Sequence, residues 1–257
     1  MIIASWNVNS LKVRLPHLLQ WLALAQPDIM ALQETKLTDD KFPHAELAAA
    51  GYLAVCSGQK TYNGVAILSR QPARDIITDI AGLDDPQRRI LAASIGDIRV
   101  INLYVVNGKA VGDEKYAYKL DWLAKVREFI AAEMQRHPRV VVLGDFNICP
   151  DDRDVYDPQA WGEAILCSPP ERAALKAITD LGLADSFRLF EAAAGHYSWW
   201  DYRQAGFRRN LGLRIDLILI SEALKSIATS ATIERTPRTW ERPSDHTPVL
   251  LELQAST

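Results

Sequence analysis

The stretch RVVVLGDFNICP runs from Arg139 to Pro150 and carries both a strand and the polar residues that leave it. Val140 to Leu143 are apolar without a break, as expected of a strand buried on both faces, and Gly144 reads as the point where the backbone turns out of it. The residues after a strand's carboxyl end point to where open α/β sheets bind ligands. Asp145 and Asn147, one residue apart, would therefore aim into one crevice. There Asp145 can accept a proton from water or ligate a hard cation. Asn147 can orient that carboxylate or donate to a phosphate oxygen without adding charge. An Asx turn after the glycine explains the same four letters, and GDFN alone does not separate the two readings.

Outward from this strand the pattern is α/β. Ile2 to Val8 reads as a strand whose exit carries Asn7 and Asn9, and Ser10 reads as the cap of a helix over Leu11 to Ala25. Ile29 to Leu32 is a second short strand, left by Gln33 and Glu34. Tyr52 to Val55, Gly64 to Ser69 and Asp75 to Ile77 have strand character. Ile90 to Ile95 and Ile98 to Val105 flank Gly96-Asp97, a hairpin signal. Asn102, Tyr104 and Asn107 form another polar exit. Lys115 to Arg136 is the longest helix, ended by His137-Pro138. Asp151 to Pro170 reads as a surface segment with at most one short helix, Glu171 to Leu181 as a helix and Ser198 to Asn210 as an aromatic and basic loop. Arg214 to Ile220, Ile227 to Ile233 and Val249 to Leu253 read as closing strands.

Composition bounds the function. The 257 residues are 48% hydrophobic and 24% charged, enough apolar material for a sizeable core in one domain spanning 1–257. A net charge of −3 means that any nucleic-acid partner is held by a local basic patch. Three cysteines, Cys56, Cys149 and Cys167, are too few for a disulfide framework or thiolate zinc site and suit a reducing compartment. No apolar run approaches the roughly 20 residues of a spanning helix, and MIIASWNVNS has no basic leader. The expectation is a cytoplasmic protein with no membrane partner.

The polar residues at strand exits are Asn7, Glu34, Tyr104, Asp145, Asn147 and Asp245-His246, while Asp216 sits inside the otherwise apolar RIDLILI. A buried carboxylate is costly unless paired, which makes His246 the natural partner of Asp216. Such a pair would fix the imidazole tautomer and raise its pKa, leaving a cation near a phosphate.

WNVNS, LQETK, NGVAILSR, NLYVVNG, GDFN, SWWDYR, GLRIDLIL and SDHTPV, in this order, resemble the exonuclease III family of DNA-repair nucleases, within the wider endonuclease/exonuclease/phosphatase superfamily of DNase I relatives. The resemblance runs from Ile2 to Leu253. It implies a four-layer α/β sandwich, two packed mixed β-sheets flanked by helices. It also implies a monomer that uses Mg²⁺ or Mn²⁺ to cleave duplex DNA 5′ to abasic sites, with 3′-to-5′ exonuclease and 3′-phosphatase activities on blocked ends, as base excision repair requires. Carried over by position, Glu34 binds the metal with Asn7 and Asp245. Asp145 activates water, Asn147 holds the attack geometry, His246 oriented by Asp216 contacts the phosphate, and Tyr104 assists. Trp199 walls the sugar pocket, with Arg203, Asn107 and Asn210 as further substrate contacts. A second-metal variant would enlist Asp145, Asn147 and His246 as ligands.

Two positions depart from the family pattern: Val106 where relatives commonly carry proline, and Leu211 where several carry arginine. Arg203, Arg208, Arg209 and Arg214 remain as the expected basic patch. Two other readings stay open at this level, a phosphoesterase for small phosphates on the same metal site and a DNA-binding module without activity. The aromatic and basic SWWDYR loop favours DNA over the first, and the complete set of acids, amides and His246 argues against the second.

Overall fold

A computed structural model describes residues 1–254. β1 (Ile2–Asn7) leads through α1 (Leu11–Ala25) to β2 (Ile29–Gln33) and α2 (His44–Ala49). There follow β3 (Leu53–Ser57), β4 (Val65–Ser69), β5 (Ala73–Ile77), β6 (Ile90–Ile95), β7 (Ile98–Tyr104) and α3 (Glu114–Arg136). The second half holds β8 (Val140–Asp145), α4 (Pro158–Trp161), α5 (Pro169–Thr179), β9 (Leu183–Asp185), β10 (Trp199–Trp200), β11 (Gly212–Leu213) and β12 (Asp216–Ser221). It closes with α6 (Glu222–Lys225), β13 (Ala228–Ile233) and β14 (Val249–Leu253).

Two six-stranded mixed sheets result, β13-β14-β1-β2-β4-β3 and β5-β6-β7-β8-β12-β9. Each contains one parallel pair, β1 with β2 and β7 with β8, and parallel neighbours need a crossover. α1 and α3 are those crossovers, so they become outer layers. Side chains alternate accordingly. Val141 and Leu143 of β8 face the other sheet, meeting Ile3, Ile29 and Leu251, while Val140 and Val142 face Trp122, Val126 and Ile130 of α3. On the far side Ala4, Trp6 and Met30 pack against Leu11, Leu18 and Leu22 of α1. The four-layer sandwich expected from the sequence is therefore the fold observed.

Polar links fix the sheets at the end where β1, β2, β7 and β8 finish. Gln33 Nε2 donates to Ser5 Oγ at 3.0 Å and, across the sheets, to Asn102 Oδ1 at 2.8 Å. Asn102 Nδ2 reaches the carbonyls of Leu32 and Ala66, both at 2.9 Å. Every one of these groups is buried, so slipping either sheet would strand them.

Several local expectations are corrected. β8 does not end at Gly144 but continues to Asp145. The glycine, at φ +138°, is required because a Cβ there would lie 1.9 Å from the carbonyl oxygen of Leu103 on β7. Ser10 has φ +86° and makes no side-chain cap bond to α1. Asp216 opens β12 rather than lying within the strand. The surface segment 151–170 holds the one short helix allowed for it, α4, but adds a 3₁₀ turn at Asp152–Asp154, and the aromatic loop pairs Trp199 with Leu213 and Trp200 with Gly212. Val106 is buried against the α3 side of the core, so packing holds the turn where proline is absent.

Candidate active site

The register between strands brings the site together. Asp145 pairs with Tyr104 on one side and with Asp216 on the other, and Asn7 ends β1 in the opposing sheet. Asn7 Nδ2 donates to Glu34 Oε1 and to Asp145 Oδ2, both at 2.9 Å, bracing two carboxylates that would otherwise repel. One oxygen or nitrogen from each of Glu34, Asp145 and His246 lies within 4.8 Å of the others. The backbone N–H of Asn147, at φ +49°, donates to Asp145 Oδ1 at 2.9 Å and fixes the carboxylate's orientation.

His246 is held from behind. Its Nδ1 lies 2.9 Å from Asp216 Oδ2, which leaves Nε2 facing Asp145 Oδ2 at 3.7 Å. Ser198 secures the aspartate, donating from Oγ to Asp216 Oδ2 at 2.6 Å while accepting the backbone N–H groups of Ile215 and Asp216. Burial would lower the His246 pKa, but the charges of Asp216 and Asp145 override it and push the value up to about 10. Burial also lifts Asp145 to about 7 against the opposing pull of His246. Tyr104 is raised well above its ordinary value, first by burial and then by the charges of Glu34 and Asp145. The Arg89 guanidinium covers its ring at 4.6 Å.

The remaining predicted residues separate. Asp245 stands outside the Glu34–Asp145–His246 group, and its two oxygens accept from Asn9 Nδ2 and Trp199 Nε1, both at 2.9 Å. Burial works to raise its pKa, yet His246 and these donors hold it below the usual range. Asn7 presents its amide nitrogen to both carboxylates and so braces them, while its Oδ1 accepts from the backbone N–H of Asn9. Asn107 Nδ2 donates to Asn147 Oδ1 at 3.3 Å. Asn210 is engaged at both ends, accepting from Trp200 Nε1 and donating to the Gly195 carbonyl. Trp199 is half-buried and Trp200 fully buried, as adjacent residues of a strand should divide. Arg203 is exposed but chelates Asp201, and Arg214 leaves the expected basic patch altogether. It is buried, bound to Asp154 at 2.6 Å and Asp185 at 2.7 Å. Arg208 and Arg209 stay exposed.

Four supporting residues escaped the sequence reading. Lys36 bridges Glu34 Oε2 at 3.0 Å and Asn9 Oδ1 at 2.7 Å, Ser198 orients Asp216, and Lys119 with Glu171 forms a fully buried pair. Lys119 Nζ also donates to the carbonyls of Asn147 at 2.7 Å and Asn107 at 3.2 Å, tying both site loops to α3. Lys119 lies on the helical stripe that faces the core, and a charge on such a stripe is the sequence signal that it has a partner.

The donor set suits a hard divalent cation: two clustered carboxylates, one of them deeply buried and reluctant to ionise without a counter-charge, and no thiolate. Among the described residues no helix is long and apolar enough to cross a membrane.

Comparison with known proteins agrees with this geometry. The model of the endonuclease/exonuclease/phosphatase family matches residues 4–246. Exodeoxyribonuclease III of Haemophilus influenzae is 35% identical, over 99% of this chain and 100% of its own length. Among solved structures, the 3′ phosphatase NExo from Neisseria, bound to a product DNA hairpin, superposes with a TM-score of 0.98 at 50% identity, covering 99% of this chain and 100% of its own. An AP endonuclease from Archaeoglobus fulgidus superposes with a TM-score of 0.95 at 34% identity, again over 99% and 100%.

Proposed function

The chain belongs to the endonuclease/exonuclease/phosphatase family, and from that premise we propose that it repairs DNA by metal-dependent hydrolysis of phosphate esters 5′ to abasic sites and at blocked 3′ termini of duplex DNA. It is a nuclease of the exonuclease III kind, and the site supports the finer reading through one observation above others. The imidazole of His246, charged by Asp216, faces the carboxylate of Asp145 at 3.7 Å across a gap braced by Asn7 and Glu34. An acid and a base held apart in this way suit a phosphate oxygen on one side and an attacking water on the other.

Glu34 and Asp145 would hold Mg²⁺ or Mn²⁺, which when bound supplies charge neutralisation at the phosphate. The chain's own groups do the rest. Asp145 orients the water and takes its proton, its lone pairs aimed by the Asn147 backbone N–H. Nε2 of His246 donates to a phosphate oxygen, and Asn147 fixes the angle of approach from a backbone clamped by Lys119. Tyr104, kept protonated, offers an O–H to the same phosphate. Trp199 walls the sugar side against the apolar cluster of Cys149, Leu166, Leu213 and Ile215. We further place the protein in the cytoplasm, acting as a monomeric single domain.

The test incubates the protein with three duplexes, one carrying an abasic site, one a 3′ phosphate and one undamaged, with Mg²⁺ and with chelator. Cleavage or dephosphorylation of damaged duplexes in Mg²⁺ alone is expected. Turnover of a small soluble phosphate ester in preference to either DNA would overturn the assignment.

A further inference from the structure

Two buried polar atoms behind the reaction site have no protein partner, Nη1 of Arg214 and Oδ1 of Asp216. Both residues are 1% exposed, and both atoms are shut off from bulk water. A charged donor and a carboxylate oxygen left unpaired in such a place are costly, so each calls for a hydrogen bond. The other polar atoms of the two side chains are engaged. Arg214 Nε donates to Asp154 at 2.6 Å and Nη2 to Asp185 at 2.7 Å, while Asp216 Oδ2 accepts from Ser198 and is held against His246. Among the described residues Arg214 and Asp216 form no direct ion pair.

One small cavity adjoins both residues. It lies between β12 of one sheet and β13 and β14 of the other, measures about 10 Å³ and is walled mainly by apolar side chains such as Phe187, Ile218 and Val249, with Ser186 at its side. That is the room of a single water, which needs roughly two to four polar partners, and here a guanidinium N–H and a carboxylate oxygen are partners of opposite kind. A cation would meet the guanidinium, an anion would meet the carboxylate, and an apolar group would leave both atoms unpaired.

We propose that one ordered water in this cavity joins Arg214 Nη1 to Asp216 Oδ1, which makes Arg214 a positioning residue for His246. The inference rests on the reading of His246 and Asp216 as the phosphate-contacting pair and deepens it. The guanidinium donates to the water and the water donates to Oδ1, so both oxygens of Asp216 are held, one by the water and the other by Ser198 and His246. A carboxylate fixed at both oxygens does not swing, and the imidazole resting on it keeps Nε2 aimed at the substrate. The donor is itself rigid, because Asp154 and Asp185 anchor the guanidinium and the centre of the Phe187 ring lies 5.3 Å from it. Arg214 thus ties the turn at Asp154 to the reacting phosphate without touching DNA.

The experiment combines crystallography with kinetics on the full chain. A crystal structure that orders buried solvent should show one water within hydrogen-bond reach of both atoms. A dry cavity, or a guanidinium bonded directly to Asp216, would overturn the proposal whatever the activity. Ser186→Val fills the cavity from its wall, whereas Ser186→Ala leaves the room open. On a 3′-phosphate duplex kcat should fall about tenfold in Ser186→Val with KM unchanged, and stay within about twofold of the wild type in Ser186→Ala. Arg214→Met, assayed below its lowered Tm, should lose at least as much kcat, and adding Ser186→Val to it should cost nothing further, since both act through one water. Losses that multiply, or a Ser186→Val protein with the water displaced and kcat intact, would overturn the role of Arg214. A wild type that releases no phosphate while its crystal shows the water would instead overturn the DNA reading, and the positioning role with it, and leave the bridge standing.

Discussion

Asp216 Oδ2 sits 2.9 Å from Nδ1 of His246, a contact between the first residue of β12 and a residue three positions before β14 begins. The contact fixes which imidazole nitrogen faces the substrate and keeps the ring charged. Asp216→Asn should therefore cost most of what His246→Asn costs, on the order of 10²-fold or more in kcat. The double variant should be only a few-fold worse than the poorer single. Rates measured on a 3′-phosphate duplex test this, and losses that add in log rate would show two separate roles.

The same pair gives a pH dependence of stability in the metal-free protein. Burial opposes the imidazolium but Asp216 and Asp145 outweigh it, raising the folded pKa from 6.5 to about 10. A raised pKa stabilises the fold fully below about pH 6.5 and fades as pH climbs toward 10. In chelator, Tm should fall between pH 7 and pH 10, and His246→Gln should flatten that part of the profile. An identical slope in the variant would mean that other groups carry it.

Lys119→Met should destabilise the protein by about 3–5 kcal/mol, because it leaves the Glu171 carboxylate buried without its partner. Lys119→Met with Glu171→Gln should recover much of that stability in denaturant titration. Activity should not return with it, since the Asn147 and Asn107 carbonyls have still lost their shared donor. Full activity in the stable double variant would make the lysine a purely structural residue.

Trp199→Phe keeps an aromatic wall but removes the N–H that holds Asp245, whereas Trp199→Ala removes both. Cleavage at an abasic site should fall more in the alanine variant than in the phenylalanine one. Removal of a 3′ phosphate should be hurt less by either, because no internal sugar has to be housed. Equal losses on both substrates would place the sugar elsewhere.

Gly144→Ala should cost about 3 kcal/mol, since its Cβ would meet the Leu103 carbonyl and its φ of +138° suits no other residue. The damage should reach catalysis through Asp145, the next residue of β8. Thermal melting and a single-turnover rate, taken together, check both effects.

The sheets were legible because their strands are long enough to show a period: the run of valines before Gly144 and the Gly96-Asp97 hairpin needed no tertiary information. β9, β10 and β11 were not, since two or three residues carry no period and are formed by pairing with neighbours. Asp145, Asn147, Glu34 and His246 could be found as polar residues at strand exits. Their partners could not, because Lys119 and Glu171 meet across 52 positions and nothing local marks either as one of a pair. Arg214 misled for the converse reason: it lies beside a basic loop in sequence, but Asp154 and Asp185, brought in from elsewhere, bury it. Asn7 was visible as a polar strand exit, while the direction of its amide depended on Asn9, Glu34 and Asp145 being around it.

Glu34 and Asp145, braced by Asn7, are proposed to form a cation-dependent site for phosphate-ester hydrolysis in DNA. The most direct measurement is the rate of 3′-phosphate release from a duplex as Mg²⁺ is titrated back into chelator-treated protein, for the wild type and for Glu34→Gln. No release is expected in chelator, full recovery in the wild type, and a variant that needs at least about tenfold more Mg²⁺ for half its recovery, one carboxylate of two having been lost. Release that continues undiminished in chelator, or a variant that recovers at the wild-type Mg²⁺ concentration, would contradict it.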